Sequence, residues 1–182
     1  MKNKAIDART HPFVATDQIL PDANFWLYLY GPPSASRNWA VPAYSAIYVK
    51  LLQAKANIHL DVLVLGEFVN RYARMEAGRL SPGVDFKTFR RGATFPPIAK
   101  TIAQEATNIL NICKRIDHHF AEWNALDLLK DYAGGKSDLN DQLLVESCRK
   151  HGLSLLTNDA DFIEGGLTVY TANNRLLTAC PP

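Results

Sequence analysis

Residues 138–162 place carboxylates at Asp138 and Asp141, and again at Asp159 and Asp161, on either side of the apolar run 153–156. Two further acids stand upstream, Asp22 at the end of a short apolar stretch and Glu67 shortly after another. Carboxylates are hard, anionic oxygen donors, the ligands that Mg²⁺ and Mn²⁺ prefer. Several of them gathered in one place repel each other unless a cation lies between. An ion held in that way eases deprotonation of a water and stabilises in-line displacement at a phosphodiester. Taken singly, each acid has an ordinary structural explanation. Asp141 suits a helix start, with Ser137 or Asp138 as the cap. Glu67 suits the first turn of a helix, Asp159 and Asp161 suit a turn, and Asp22 suits a cap. Their shared placement is what favours a site.

That placement depends on the elements around the acids. Residues 18–22 and 58–65 read as strands, and 153–156 and 167–171 as two more. Residues 42–55 read as a helix with Pro42 in its first turn. A helix follows the second strand through Glu67, Phe68, Tyr72 and Met75, and another runs from Asp138 to His151-Gly152. The apolar positions Ile98, Ile102, Ile109, Ile112, Ile116, Phe120, Trp123 and Leu126 recur at helical spacing, which predicts one long helix or two joined ones over 98–129. Residues 24–30 are apolar almost throughout, so their period is ambiguous, and Gly31-Pro32-Pro33-Ser34 breaks them. Residues 80–97 hold Pro82-Gly83, Gly92 and Pro96-Pro97 and read as a long loop. Residues 1–17 read as an N-terminal arm ahead of a single domain over 18–182. Strands alternating with helices predict an α/β fold of three layers, α/β/α, with a mainly parallel central sheet. In such sheets ligands bind beyond the C-terminal ends of the strands, which is where Asp22, Glu67, Asp141 and Asp159 would face one another.

Composition sets outer bounds. The 182 residues suit one ordinary domain, and 47% hydrophobic with 21% charged residues is a globular composition. A net charge of +2 is too small to argue for nucleic-acid binding by itself. Its distribution says more, because Arg71, Arg74, Arg79, Lys87, Arg90, Arg91 and Lys100 face only Glu76 and Asp85 within 71–100. Three separated cysteines, Cys113, Cys148 and Cys180, give neither a disulfide framework nor metal-type spacing. With no secretory leader and no apolar run long enough for a membrane, the expectation is a cytoplasmic protein.

The chain resembles the PIN domain, the nuclease fold found in the toxin of many bacterial toxin–antitoxin pairs. Leu156-Thr157-Asn158-Asp159-Ala160-Asp161-Phe162, preceded by Asp141-Gln142-Leu143-Leu144, is similar to that family's Thr-x-Asp-x-Asp-Phe pattern and the helix before it. Asp22-Ala23-Asn24 resembles its first Asp-x-Asn, and Glu67-Phe68-Val69 its helix glutamate. The resemblance implies that Asp22, Glu67, Asp141 and Asp159 form the acidic set around Mg²⁺ or Mn²⁺. Asn24 and Thr157 would support it by hydrogen bonding, with Asp138 and Asp161 as secondary acids. It implies a metal-dependent ribonuclease acting on RNA, with a toxin role, an antitoxin partner and a homodimer as further expectations. Arg71, Arg74, Arg90 and Arg91 are the candidates for phosphate contact. Three features depart from the family pattern: Pro21 stands where an apolar strand residue is usual, the 80–97 segment is long, and Leu27 with its aromatic neighbours makes the second segment bulky. The alternatives are a PIN-like nucleic-acid-binding or scaffold protein without catalysis, and another metal-dependent phosphoesterase with a small substrate.

Two other groupings carry less. His118-His119 with Glu122 read as a solvated helix face, since adjacent helical side chains diverge by about 100° and do not readily share an ion. Phe25, Trp26, Tyr28 and Tyr30 read as core packing beside the first strand rather than as stacking platforms for bases.

Overall fold

The computed structural model describes residues 1–32, 39–135 and 137–182. Six strands form one parallel sheet: β1 Lys4–Asp7, β2 Gln18–Pro21, β3 Asn57–Leu60, β4 Lys114–Arg115, β5 Ser154–Leu156 and β6 Thr168–Thr171, in the order β1-β6-β5-β2-β3-β4. Helices flank it in a three-layer α/β/α arrangement: α1 Ala23–Tyr30, α2 Ala40–Ala54, α3 Val62–Leu80, α4 Phe86–Arg91, α5 Phe95–Ile112, α6 Ala125–Ala133, α7 Leu139–His151 and α8 Asn174–Ala179. The order reverses at the centre. β2 has β3 on one side and β5 on the other. Connections leaving the two central strands diverge there and open a crevice at their C-terminal ends. Asp22 follows β2 directly, and Thr157 follows β5.

Burial explains why the short strands hold. Ile19, Leu20, Leu155, Leu156 and Val169 are fully buried. Strands covered on both faces read as continuous apolar runs rather than as alternation. Pro21 is accommodated because it is the last residue of β2: it pairs in register with Leu156, and the ladder resumes with Asp22 N–H donating to the Leu156 carbonyl at 2.9 Å.

Several boundaries differ from the sequence reading. Residues 1–17, expected as an arm, contribute the edge strand β1, which pairs with β6 through Ala5↔Val169. The expected strand 58–65 stops at Leu60, because Asp61 caps α3 by accepting the Leu63 N–H at 2.8 Å. Glu67 therefore sits in the second turn of α3, not the first. The expected loop 80–97 contains α4, which is capped by Asp85, and the start of α5, with Pro at its first turn. The expected helix over 98–129 ends at Ile112. Cys113 is extended, Lys114 and Arg115 form β4, and α6 starts afresh at Ala125. Helical spacing carried across that break because Ile116 is partly buried against the core from a different element. The ambiguous 24–30 stretch is α1, whose cap residue Gly31 donates to the Leu27 carbonyl. Pro33 and Ser34 of the expected break lie outside the described residues. Residues 174–179, unassigned from sequence, form α8 under an Asn173 cap.

The three cysteines are free. Among the described residues no helix is long and apolar enough to cross a membrane.

Candidate active site

Asp22 is the N-cap of α1 and is buried. Its carboxylate accepts three hydrogen bonds: from Ala23 N–H at 2.5 Å, Asn24 Nδ2 at 3.1 Å and Thr157 Oγ1 at 2.9 Å. Thr157, itself fully buried, also accepts the Asp159 N–H at 2.9 Å. One threonine hydroxyl thus ties the turn after β5 to the acid after β2. Asn24 and Thr157 both donate to Asp22.

Asp22, Glu67 and Asp141 line one small pocket of about 30 Å³, closed by Leu63, Val64, Asn140 and Leu144. The three come from different elements, α1's cap, α3 and α7. Glu67 is ion-paired to Arg71 one helical turn on, at 2.9 Å. Asp159 does not line this pocket, although its charge reaches Asp141. It stands in the turn after Thr157 and accepts the Asp161 N–H at 3.0 Å. Asp138 is the N-cap of α7, bonding Asn140 N–H at 2.8 Å. Asp138 and Asp161 both line a wider groove of about 1,090 Å³ that shares Asp141 with the small pocket. Six carboxylates line that groove, from Asp131, Asp138, Asp141, Glu146, Asp161 and Glu164, with Arg149 as its one basic side chain among the described residues.

The electrostatics follow from this crowding. Burial pushes the Asp141 carboxyl up to about 7, and the charges of Asp159, Asp138, Asp22 and Glu67 push the same way. Burial pushes Asp22 up to about 6, helped by Glu67 and opposed by the hydrogen bonds from Thr157, Ala23 and Asn24. Asp141 and Asp22 resist ionising first because they are buried and second because acids stand nearby. Among the described residues, no three His, Cys, Asp or Glu side chains already stand close enough together to hold a metal ion. The donor chemistry nonetheless fits a hard cation: an all-carboxylate set around a pocket of atomic size, its mutual repulsion unrelieved by any lysine or arginine lining that pocket.

Of the basic residues, Arg71 is nearest to this chemistry through Glu67. Arg74 lies over the Phe86 ring, 4.5 Å from its centre, which joins α3 to α4. Arg90 and Arg91 are exposed at the end of α4.

Two groups escaped the sequence reading. The first is a buried polar knot. Asp61, fully buried, accepts from Ser147 Oγ at 2.6 Å and lies 2.8 Å from His118 Nδ1. His118 is therefore not on a solvated helix face, and its neighbour His119 meets Glu122 at 3.0 Å from a left-handed backbone position. The position of Asp61 after an apolar run was visible as a cap signal, but Ser147 and His118 lie far from it in sequence. The second is centred on Tyr44. Its hydroxyl donates to the Thr157 carbonyl at 2.9 Å and accepts the Ala172 N–H at 3.1 Å. Nothing in the 42–55 pattern distinguishes Tyr44 from an ordinary core aromatic. Phe25 and Trp26 are fully buried, as core packing requires, whereas Tyr28 and Tyr30 are half-buried.

Comparison with known proteins gives two kinds of likeness. The family model described as PIN domain matches residues 19–166. No curated protein matches the chain. Among solved structures, PAE2754 from Pyrobaculum aerophilum is similar at 16% identity with a TM-score of 0.50, over 95% of each chain. A chain of VapBC2 from Rickettsia felis, solved bound to a DNA fragment from its promoter, is 14% identical with a TM-score of 0.49, over 84% of this chain and 97% of that one.

Proposed function

This chain belongs to the PIN-domain family, and from that premise we propose that it is a Mg²⁺- or Mn²⁺-dependent ribonuclease hydrolysing RNA phosphodiester bonds. PIN domains are generally divalent-metal-dependent nucleases. The observation that carries the reading is the convergence of Asp22, Glu67 and Asp141 from three elements on one pocket, within reach of the Asp159 charge.

When bound, such an ion would supply charge stabilisation at phosphorus and easier deprotonation of a water. The chain's own residues do the rest. Asp22, Glu67, Asp141 and Asp159 would hold the ion. Asn24 and Thr157 orient the Asp22 carboxylate by donating to it. Asp138 and Asp161 stand at the rim, on the acidic groove. That groove repels a phosphate backbone, so the RNA approaches from the α3–α4 side, where Arg71, Arg74, Arg90 and Arg91 contact phosphates. A toxin role, with an antitoxin partner, self-association as a homodimer and a cytoplasmic location complete the reading.

Purified protein is expected to cleave RNA with added Mn²⁺, and Asp22→Asn, which keeps the side chain's shape and its cap oxygen, is not. Equal cleavage by both proteins identifies a contaminant and leaves a PIN-like binding or scaffold protein without catalysis.

A further inference from the structure

We propose that the Tyr28 hydroxyl, together with Arg71, grips a phosphate oxygen of the substrate beside the acid pocket. The proposal rests on the ribonuclease reading and adds to it a contact made by a neutral donor.

Tyr28 lies on α1, the helix that Asp22 caps, and is half-buried. Its ring stacks on Tyr44, with ring centres 5.4 Å apart and planes 25° apart. Tyr44 is immobilised by its bonds to the Thr157 carbonyl and the Ala172 N–H, so the stacked Tyr28 ring is held by a rigid support. The Tyr28 hydroxyl accepts a hydrogen bond from Asn158 Nδ2 at 2.9 Å. Asn158 is fixed in turn by Asn173, whose Nδ2 donates to the Asn158 carbonyl at 2.7 Å. A phenol that accepts in this way still has its own proton to give, and among the described residues nothing accepts it.

The surroundings say what would. The hydroxyl is bonded to Asn158, the residue before Asp159, and lies within electrostatic reach of Asp22, Asp159 and Arg71. Arg71 spends one N–H on Glu67 and is nearly half exposed, which leaves the remaining donors of its fork open. A neutral O–H donor and a cationic fork near a set of acids match an oxyanion that must lie beside those acids. A phosphodiester oxygen is that group. The core-packing role of Tyr28 requires only its ring. The arrangement of its hydroxyl, held by an amide donor and open on its own proton, is what packing leaves unexplained.

The test measures binding of a fluorescently labelled single-stranded RNA oligonucleotide by anisotropy, with Ca²⁺ in place of Mg²⁺ or Mn²⁺, over a series of salt concentrations. Tyr28→Phe keeps the stacked ring and should weaken binding about tenfold. It should do so by the same factor at every salt concentration, because a neutral donor displaces no counterion. Arg71→Gln should weaken binding and also reduce the slope of log K against log salt by about 0.7. Asn158→Ala removes the partner of the Tyr28 hydroxyl but not the hydroxyl itself, and should stay within about twofold of wild type. Wild-type affinity in Tyr28→Phe overturns the proposal. So does an equal loss in Asn158→Ala, which assigns the effect to the shape of the turn. In either case RNA cleavage by the wild type with Mn²⁺ leaves the ribonuclease reading standing. A wild type that neither binds nor cleaves RNA overturns both.

Discussion

Neutralising Asp141 should make the metal-free protein more stable, increasingly so as pH rises above about 4. Asp141 ionises in the unfolded chain near its ordinary value of 3.8 but in the folded one only near about 7. A group whose folded value lies above its unfolded value holds its proton more tightly when folded, so stability falls as pH rises between the two. The loss begins above about pH 4 and is complete somewhat above pH 7. The interval corresponds to about 4 kcal/mol at 1.36 kcal/mol per pH unit. The Asp141 side chain is only partly shielded from water, and halving that figure for solvent screening leaves about 2 kcal/mol. No hydrogen bond among the described residues uses its carboxylate, so Asp141→Asn removes a charge without removing a bond. In a chain of this size about 2 kcal/mol moves the melting temperature by roughly 4–8 °C. Melting in EDTA at about pH 8 should therefore favour the variant by that amount, and at about pH 3.5, where the wild-type carboxyl is largely protonated in the unfolded chain as well as the folded one, the two curves should nearly coincide. A variant that is less stable than wild type at both pH values, or better by the same margin at both, would refute the claim that crowded carboxylates destabilise this site.

Millimolar Mn²⁺ or Mg²⁺ should raise the wild-type melting temperature at about pH 8, by mass action on the folded state, and should not raise that of Asp141→Asn. Thr157→Val removes a donor from the Asp22 carboxylate and an acceptor from the Asp159 N–H; denaturant unfolding should show a loss of about 1–3 kcal/mol, and the Asp22 titration, followed by NMR, should move further above about 6. Asp61→Ala strips Leu63 N–H, Ser147 and His118 of a common buried acceptor and should cost about 3–5 kcal/mol, read by the same unfolding measurement.

The elements most legible in the sequence are those whose signal is local. The strand at 153–156 is recognisable because it is short, apolar and bounded by Gly152 and the Thr157-Asn158-Asp159 turn. The α7 start is recognisable because Asp138 is a cap and the apolar residues follow it. The edge strand β1 was not legible, since Lys4–Asp7 is half polar and becomes a strand only through its pairing with β6, more than 160 residues away. The break at Cys113 was hidden for the opposite reason: the apolar rhythm of α5 continues by coincidence into residues that pack from β4 and beyond. Among the candidate site residues, Asp22 was read from its place at a strand end and Thr157 from the resemblance of its motif. What sequence spacing does not supply is the 2.9 Å bond between them, which depends on β2 and β5 lying side by side.

That dependence on strand adjacency also explains how acids that repel each other are kept together. The repulsion at Asp22, Glu67 and Asp141 acts to separate α1, α3 and α7, and nothing in the small pocket opposes it. The opposing bonds lie just outside. Thr157 fastens the Asp22 carboxylate to the β5 turn, Tyr44 fastens that turn through the Thr157 carbonyl, and Asp61 fastens α3 to α7 through Ser147. Asp61 is six residues before Glu67, and Ser147 is six residues after Asp141. The buried knot therefore ties together the same two helices whose carboxylates push apart, with Leu63, Val64 and Leu144 packed between. A site destabilised by a few kcal/mol of charge repulsion persists when comparably strong buried contacts hold its walls. It follows that Asp61 and Asp141 act in opposite directions on the metal-free fold: removing the first weakens it, removing the second strengthens it. If the knot resists the repulsion, the loss caused by Asp61→Ala should be larger in an Asp141→Asn background than in wild type, where freeing the walls also relieves part of the repulsion, and a double-mutant cycle at about pH 8 measures that coupling directly. Strict additivity would mean that the knot and the acid pocket are mechanically independent.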